Sequence, residues 1–116
     1  LLLCAPEAVH RAELLFPPQP LHNHGSSLVE TPGGDLLAVW FHGTGERKND
    51  DVQIMGARLS REARAAGLTT WSDPFPVADT PDLPDCNPVL FVDPRGTLWL
   101  FWVAIGIGRT LSTHDR

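Results

Sequence analysis

Apolar and polar positions fall into short blocks along this chain, each closed by Gly, Pro or Asp. Leu36-Leu37-Ala38-Val39-Trp40-Phe41-His42 is mostly apolar. An apolar run this short, bounded by turn residues, predicts a strand buried on both faces. Ahead of it, Gly25-Ser26-Ser27-Leu28-Val29-Glu30-Thr31 predicts a partner strand. Pro32-Gly33-Gly34-Asp35 places Pro and Gly where a tight turn favours them. Together these segments predict an antiparallel hairpin. The same order returns later in Asn87-Pro88-Val89-Leu90-Phe91-Val92-Asp93, the turn Pro94-Arg95-Gly96, and Thr97-Leu98-Trp99-Leu100-Phe101-Trp102. Between the hairpins, Val52 to Leu59 alternates loosely. Thr70-Trp71-Ser72 leads through Asp73-Pro74 to a fourth candidate strand, Phe75 to Ala78. Arg61 to Ala66 is compatible with a helix but too short to hold itself up.

The two hairpins are a repeat. Pro32 and Pro94 lie 62 positions apart. At that spacing Leu28 meets Leu90, Gly34 meets Gly96, Leu36 meets Leu98 and Trp40 meets Trp102. One repeat is therefore a unit of about four strands, and such units, at about 40–50 residues each, are the signature of propeller blades. The loops Gly43 to Asp51 and Arg61 to Gly67 absorb the extra length. The expected fold is all-β, a fragment of about one and a half propeller blades. A small stand-alone sandwich is the competing arrangement, but it needs another way to cover both faces of Leu36–Phe41 and Thr97–Trp102. Trp40, Trp99 and Trp102 are expected in the core and Trp71 at a blade edge. The sets Leu36, Ala38, Trp40 and Leu98, Leu100, Trp102 are expected on equivalent faces.

Composition supports strands and turns. The chain has 116 residues, including 11 Pro and 10 Gly. With 42% hydrophobic and 20% charged residues it lies outside the disordered class. A net charge of −5, with no basic run, argues against nucleic acid and anionic membrane partners. No apolar run approaches the ~20 residues of a membrane span. Cys4 and Cys86 are the only cysteines, too few for a disulfide framework or a zinc set. Cys86 reads as a small packing residue. Leu1-Leu2-Leu3-Cys4-Ala5 reads either as the tail of a secretory signal's apolar region or as an ordinary apolar stub. Residues 1–20 are expected to be an N-terminal stub before a partial propeller domain at 21–116, and the signal reading implies a secreted or periplasmic protein.

Gly25-Ser26-Ser27-Leu28-Val29-Glu30 followed by Pro32-Gly33-Gly34-Asp35-Leu36-Leu37-Ala38 resembles the first blade of the sialidase-like (BNR-repeat) family. Trp71-Ser72, Asn87-Pro88-Val89-Leu90-Phe91 and Asp93-Pro94-Arg95-Gly96-Thr97-Leu98-Trp99-Leu100-Phe101 extend the likeness from Leu21 to Trp102. Ser60-Arg61-Glu62 and Gly67-Leu68-Thr69-Thr70-Trp71 resemble the two halves of the family's Asp-box, with extra residues between them. The resemblance implies a six-bladed propeller that binds or cleaves acidic sugars in glycans, with no cofactor. The leading expectation is a hydrolase, an exo-glycosidase incomplete in this chain. The alternatives are a non-catalytic carbohydrate-binding propeller and a polysaccharide lyase or other glycosidase on the same fold. Where the family carries an arginine in an Arg-Ile-Pro motif, this chain has His24-Gly25-Ser26. The family's acid/base aspartate lies after the second strand, where Asp50 and Asp51 stand. Its tyrosine nucleophile lies in later blades, and this chain contains no Tyr.

The candidate site follows from this frame. His22-Asn23-His24 precede the first opening strand and Asp85-Cys86-Asn87 the second, 62 positions on. His22, His24, Asp85 and Asn87 are expected to bind the sugar through directional hydrogen bonds. In the loop His42 to Asp51, Arg47 is expected to grip a carboxylate in two places, beside Glu46. Asp51 is expected to act as the acid/base, with its neighbour Asp50 pointing away. His22 and His24, two apart on an extended chain, point to one side, but no third ligand is evident and no metal site is expected. His10 and His114 read as solvated.

Overall fold

The structure is a computed structural model that describes residues 4–45 and 49–106. It contains β1 (His22–Glu30), β2 (Leu36–Gly43), β3 (Gln53–Leu59), α1 (Arg61–Ala65), β4 (Phe75–Ala78), β5 (Asp85–Val92) and β6 (Leu98–Ala104). β1 to β4 form one sheet in sequence order, antiparallel throughout, and β5 pairs with β6 in a second sheet. β5 lies against β1 and β2. The fold is thus all-β, a four-stranded blade followed by the opening hairpin of the next.

The repeat holds at the level of register. β1–β2 pairs Ser27 with Val39 and Leu28 with Ala38, while β5–β6 pairs Val89 with Phe101 and Leu90 with Leu100. Each pair is its counterpart shifted by 62, so Trp40 and Trp102 occupy the same position on successive hairpins, as expected. The turns match as well. Thr31 N–H donates to Asp35 O at 2.8 Å and Asp93 N–H to Thr97 O at 2.9 Å. Gly34 and Gly96 sit at φ +88° and +83°, a conformation these turns demand and only Gly takes freely.

β1 and β5 begin three and two residues earlier than the pattern predicts. A β-bulge interrupts the ladder between His24 and Ser27, and again between Cys86 and Val89. The bulge breaks the two-residue alternation, so the polar residues ahead of it look like a loop when they are strand.

β2 is buried on both sides, as its apolar run predicts. Alternation sends Val39 and Phe41 to one face, where they pack with Val52, Ile54, Cys86 and Leu90 between the two sheets. Ala38 and Trp40 go to the other face with Ala57, covered by Leu15, Phe16, Met55 and Trp71. Phe16 stacks on Trp40 with ring centroids 5.0 Å apart. Trp99 and Trp102 depart from expectation, being 47% and 41% exposed. The second sheet meets the first mainly through β5, leaving β6 outside, where only Leu100 reaches the shared core.

The short helix exists because its surroundings supply its bonds. Ser60 caps it by accepting from Ala63 N–H at 3.1 Å. Arg64 donates to Gly34 O at 2.6 Å and reaches Glu30 at 3.1 Å. Asp35 completes the link, accepting from Arg61 N–H at 2.7 Å and from the Arg58 guanidinium. The β1–β2 turn is therefore tied to the far end of β3.

Candidate functional site

Antiparallel pairing gathers the candidate residues at one end of the sheets. His22 pairs with Gly43 and Asn23 with His42, so the start of β1, the end of β2 and the loop leaving β2 share an end. Asp85 N–H donates to Val52 O at 2.9 Å, which brings the start of β5 to that same end. A β-carbon built on Gly25 would lie 3.5 Å from Asn87 Oδ1, so the two bulges are neighbours. His22, His24, Asp50, Asp51, Asp85 and Asn87 therefore belong to one end of the molecule. Glu46 and Arg47 lie outside the described residues.

The members differ in what they offer. His22 and His24 are exposed, with rings 5.3 Å apart and both against Phe41, on one side as the extended spacing predicts. Asp51 is exposed and turned onto its own loop. Its Oδ1 accepts from Thr44 Oγ1 at 2.8 Å and its Oδ2 from Thr44 N–H at 3.3 Å, while Asn49 donates to Thr44 Oγ1 at 2.7 Å. Asp50 is exposed and its side chain makes no hydrogen bond among the described residues. Asp85 is fully buried. Its Oδ1 accepts from the Trp102 indole at 3.0 Å and its Oδ2 from Thr80 N–H at 2.6 Å. Both of its oxygens are thus bonded by its own fold. Asn87 is exposed and takes φ +50° at the bulge, a left-handed conformation that Asn tolerates better than most residues.

Two residues at this end make contacts that the sequence reading did not foresee. Asn23 Oδ1 accepts from the Trp40 indole at 3.0 Å and lies 2.7 Å from His42 Nδ1. The spacing of 62 that joins Trp40 to Trp102 also joins Asn23 to Asp85, and that was the signal available. Beside them, a groove of about 540 Å³ runs along the face of the first sheet turned away from the second. Leu15, Phe16, Asn23, His24, Leu28 and Trp40 are among its walls. Among the described residues, no group of three His, Cys, Asp or Glu is placed to hold a metal ion, and no helix is long and apolar enough to cross a membrane.

Two successive sheets built on one hairpin, with polar residues gathered where their inner strands begin, define a blade-repeat protein of the β-propeller class. Residues 34–114 match the model of the BNR repeat-like domain, and the chain belongs to that family. Neither a curated protein nor a solved structure matches the chain.

Proposed function

We propose that this chain supplies the opening part of a sialidase-like glycan-acting hydrolase. The observation that carries the reading is the gathering of His22, His24, Asn87 and Asp51 at one end of adjacent blades of a BNR repeat-like fold. Exposed imidazoles and an amide are the directional groups that hold sugar hydroxyls. Asp51 is the acid/base on this reading, and Thr44 holds its carboxyl in place. Arg47 pairs with the sugar's carboxylate. The nucleophile comes from further blades. Release of 4-methylumbelliferone from acidic-sugar glycosides, by the polypeptide carrying all its blades, tests the reading. Asp51→Asn should abolish release and keep sugar binding; undiminished release removes the acid role.

One observation favours a carbohydrate-binding module without catalysis. Both Asp51 oxygens are engaged by Thr44, which is how a loop is stapled as well as how an acid is positioned. Sugar binding by a polypeptide that shows no turnover, before and after Asp51→Asn, selects this second reading.

A further inference from the structure

Asp51 has a fixed backbone and a side chain set by its own loop. A β-carbon on Gly43 would lie 2.9 Å from Asp51 O and 2.8 Å from Val52 Cα, so the end of β2 and the returning chain are in close contact. Val52 is fully buried. The Asp51 backbone is therefore anchored beside the core while its side chain stands in solvent. Thr44 and Asn49 decide how that side chain is bonded. A threonine hydroxyl has one hydrogen to give. Asn49 Nδ2 only donates, and it lies 2.7 Å from Thr44 Oγ1, so Oγ1 accepts there. The hydroxyl's own hydrogen is left for Asp51 Oδ1, at 2.8 Å. Asp51 Oδ2 has the longer contact, with Thr44 N–H at 3.3 Å. A protonated carboxyl oxygen is the poorer acceptor of the two, so the acidic proton belongs on Oδ2, where the bond it weakens is the longer one.

We infer that Asn49 is a positioning residue for proton transfer: through Thr44 it sets which Asp51 oxygen accepts and which carries the proton. The inference rests on the hydrolase reading above and adds a residue to it. Without the Asn49 donor, the Thr44 hydroxyl is free to turn its hydrogen from Asp51 to water, and the two carboxyl oxygens lose their difference. With it, Oδ1 stays the acceptor and Oδ2 the proton carrier. In the step itself the proton leaves Oδ2 for the leaving-group oxygen, which also takes the electron pair of the breaking glycosidic bond. The anomeric carbon gains its new bond from an oxygen nucleophile on a further blade. Asp51 is left as a carboxylate that still accepts from Thr44 Oγ1 and N–H. Asn49 acts only through Thr44.

The polypeptide carrying all its blades tests this on two glycosides of N-acetylneuraminic acid. The 4-methylumbelliferyl glycoside has a leaving oxygen that departs readily as an anion and needs little help from an acid. The methyl glycoside has one that does not depart without a proton. Asn49→Ala should lower kcat/KM about tenfold on the methyl glycoside and less than about threefold on the aryl one, a fraction of the ~10²–10⁴ that a positioned acid contributes. In a Thr44→Val background the same substitution should change neither value, because its route to Asp51 is already cut. Asn49 is exposed, so the variant should fold, and the ratio between two glycosides of one variant does not depend on how much of it does. Equal losses on the two glycosides, no loss on either, or a loss that persists in Thr44→Val overturns the inference and leaves the hydrolase reading standing. A wild-type polypeptide that turns over neither glycoside overturns both.

Discussion

Trp40 donates its indole hydrogen to the Asn23 side-chain oxygen at 3.0 Å, and Trp102 repeats that bond with Asp85 at the same length. In each repeat a tryptophan on the second strand is latched to the first residues of the opening strand. The latch crosses a hairpin whose bulge lies just beyond it, where ladder bonds are missing. It therefore holds the start of each opening strand against its partner.

Cutting the latch should destabilise the fold. Trp40 is 5% exposed, so Asn23→Ala leaves a nearly buried indole N–H without its partner. The expected loss is about 1–3 kcal/mol. Asp85→Ala strands both the Trp102 indole and Thr80 N–H and should cost at least as much. Urea unfolding measures both variants. An Asp85→Ala protein of full stability with impaired sugar binding would show that Asp85 serves sugar contact rather than the fold.

The bulge makes a second, sharper demand. Gly25 adopts φ +62°, and a β-carbon there would lie 2.7 Å from Phe41 Cε1. Gly25→Ala must pay the left-handed strain and displace a ring that is fully buried, so about 1–3 kcal/mol should be lost. At Asn87, the equivalent site, Asn87→Gly should change stability by well under about 1 kcal/mol. Equal losses in a denaturant titration would show that the bulge is not what selects these residues.

The hairpins, their turns and the two-sided burial of Leu36–Phe41 were legible because each rests on local chemistry. Pro32, Gly34 and Gly96 mark turns, and an apolar run marks a central strand. The beginnings of β1 and β5 were not legible, because the bulges at Gly25 and Asn87 break the alternation that defines a strand. The exposure of Trp99 and Trp102 depends on which sheet lies opposite β6, and nothing in their own segment reports that. For the site, the sequence singled out His22, His24, Asp51, Asp85 and Asn87, which the fold does place at one end. It did not foresee that Asn23 accepts from Trp40 and contacts His42, because both contacts run across the hairpin. It also could not show that Asp85 would be spent on Trp102 and Thr80.

Acid should weaken the fold through its turns. Arg61 N–H, then the Arg58 guanidinium, hold Asp35 below its ordinary value of 3.8. The Trp99 indole, then Thr97 N–H, do the same for Asp93. A carboxylate with a lower pKa folded than unfolded contributes stability above its unfolded value and loses it as pH falls through the folded one. Thermal unfolding midpoints should therefore drop as pH falls below the ordinary carboxyl value of 3.8. Asp35→Asn should be less stable near neutrality and show a shallower drop. A wild-type midpoint that stays level across this range would mean that these turn carboxylates do not couple to folding.

Thr44 separates the two roles open to Asp51. If the carboxylate only staples the loop, Thr44→Val removes the Oγ1–H donor and keeps the backbone N–H, so it and Asp51→Asn should both have small effects in every assay. If Asp51 is the acid, the two variants diverge. Asp51→Asn keeps one acceptor oxygen for Thr44 and removes the ionisable proton. It should retain sugar affinity and lose turnover by about 10²–10⁴-fold. Thr44→Val keeps the ionisable carboxyl and loosens its placement, so turnover should fall much less. Asp50→Asn should leave turnover within about twofold of the wild type, because no hydrogen bond among the described residues places its carboxyl for proton transfer. Kinetics of the three variants on one acidic-sugar glycoside decide between the roles. Equal, small effects of Asp51→Asn and Thr44→Val would assign Asp51 to the loop alone.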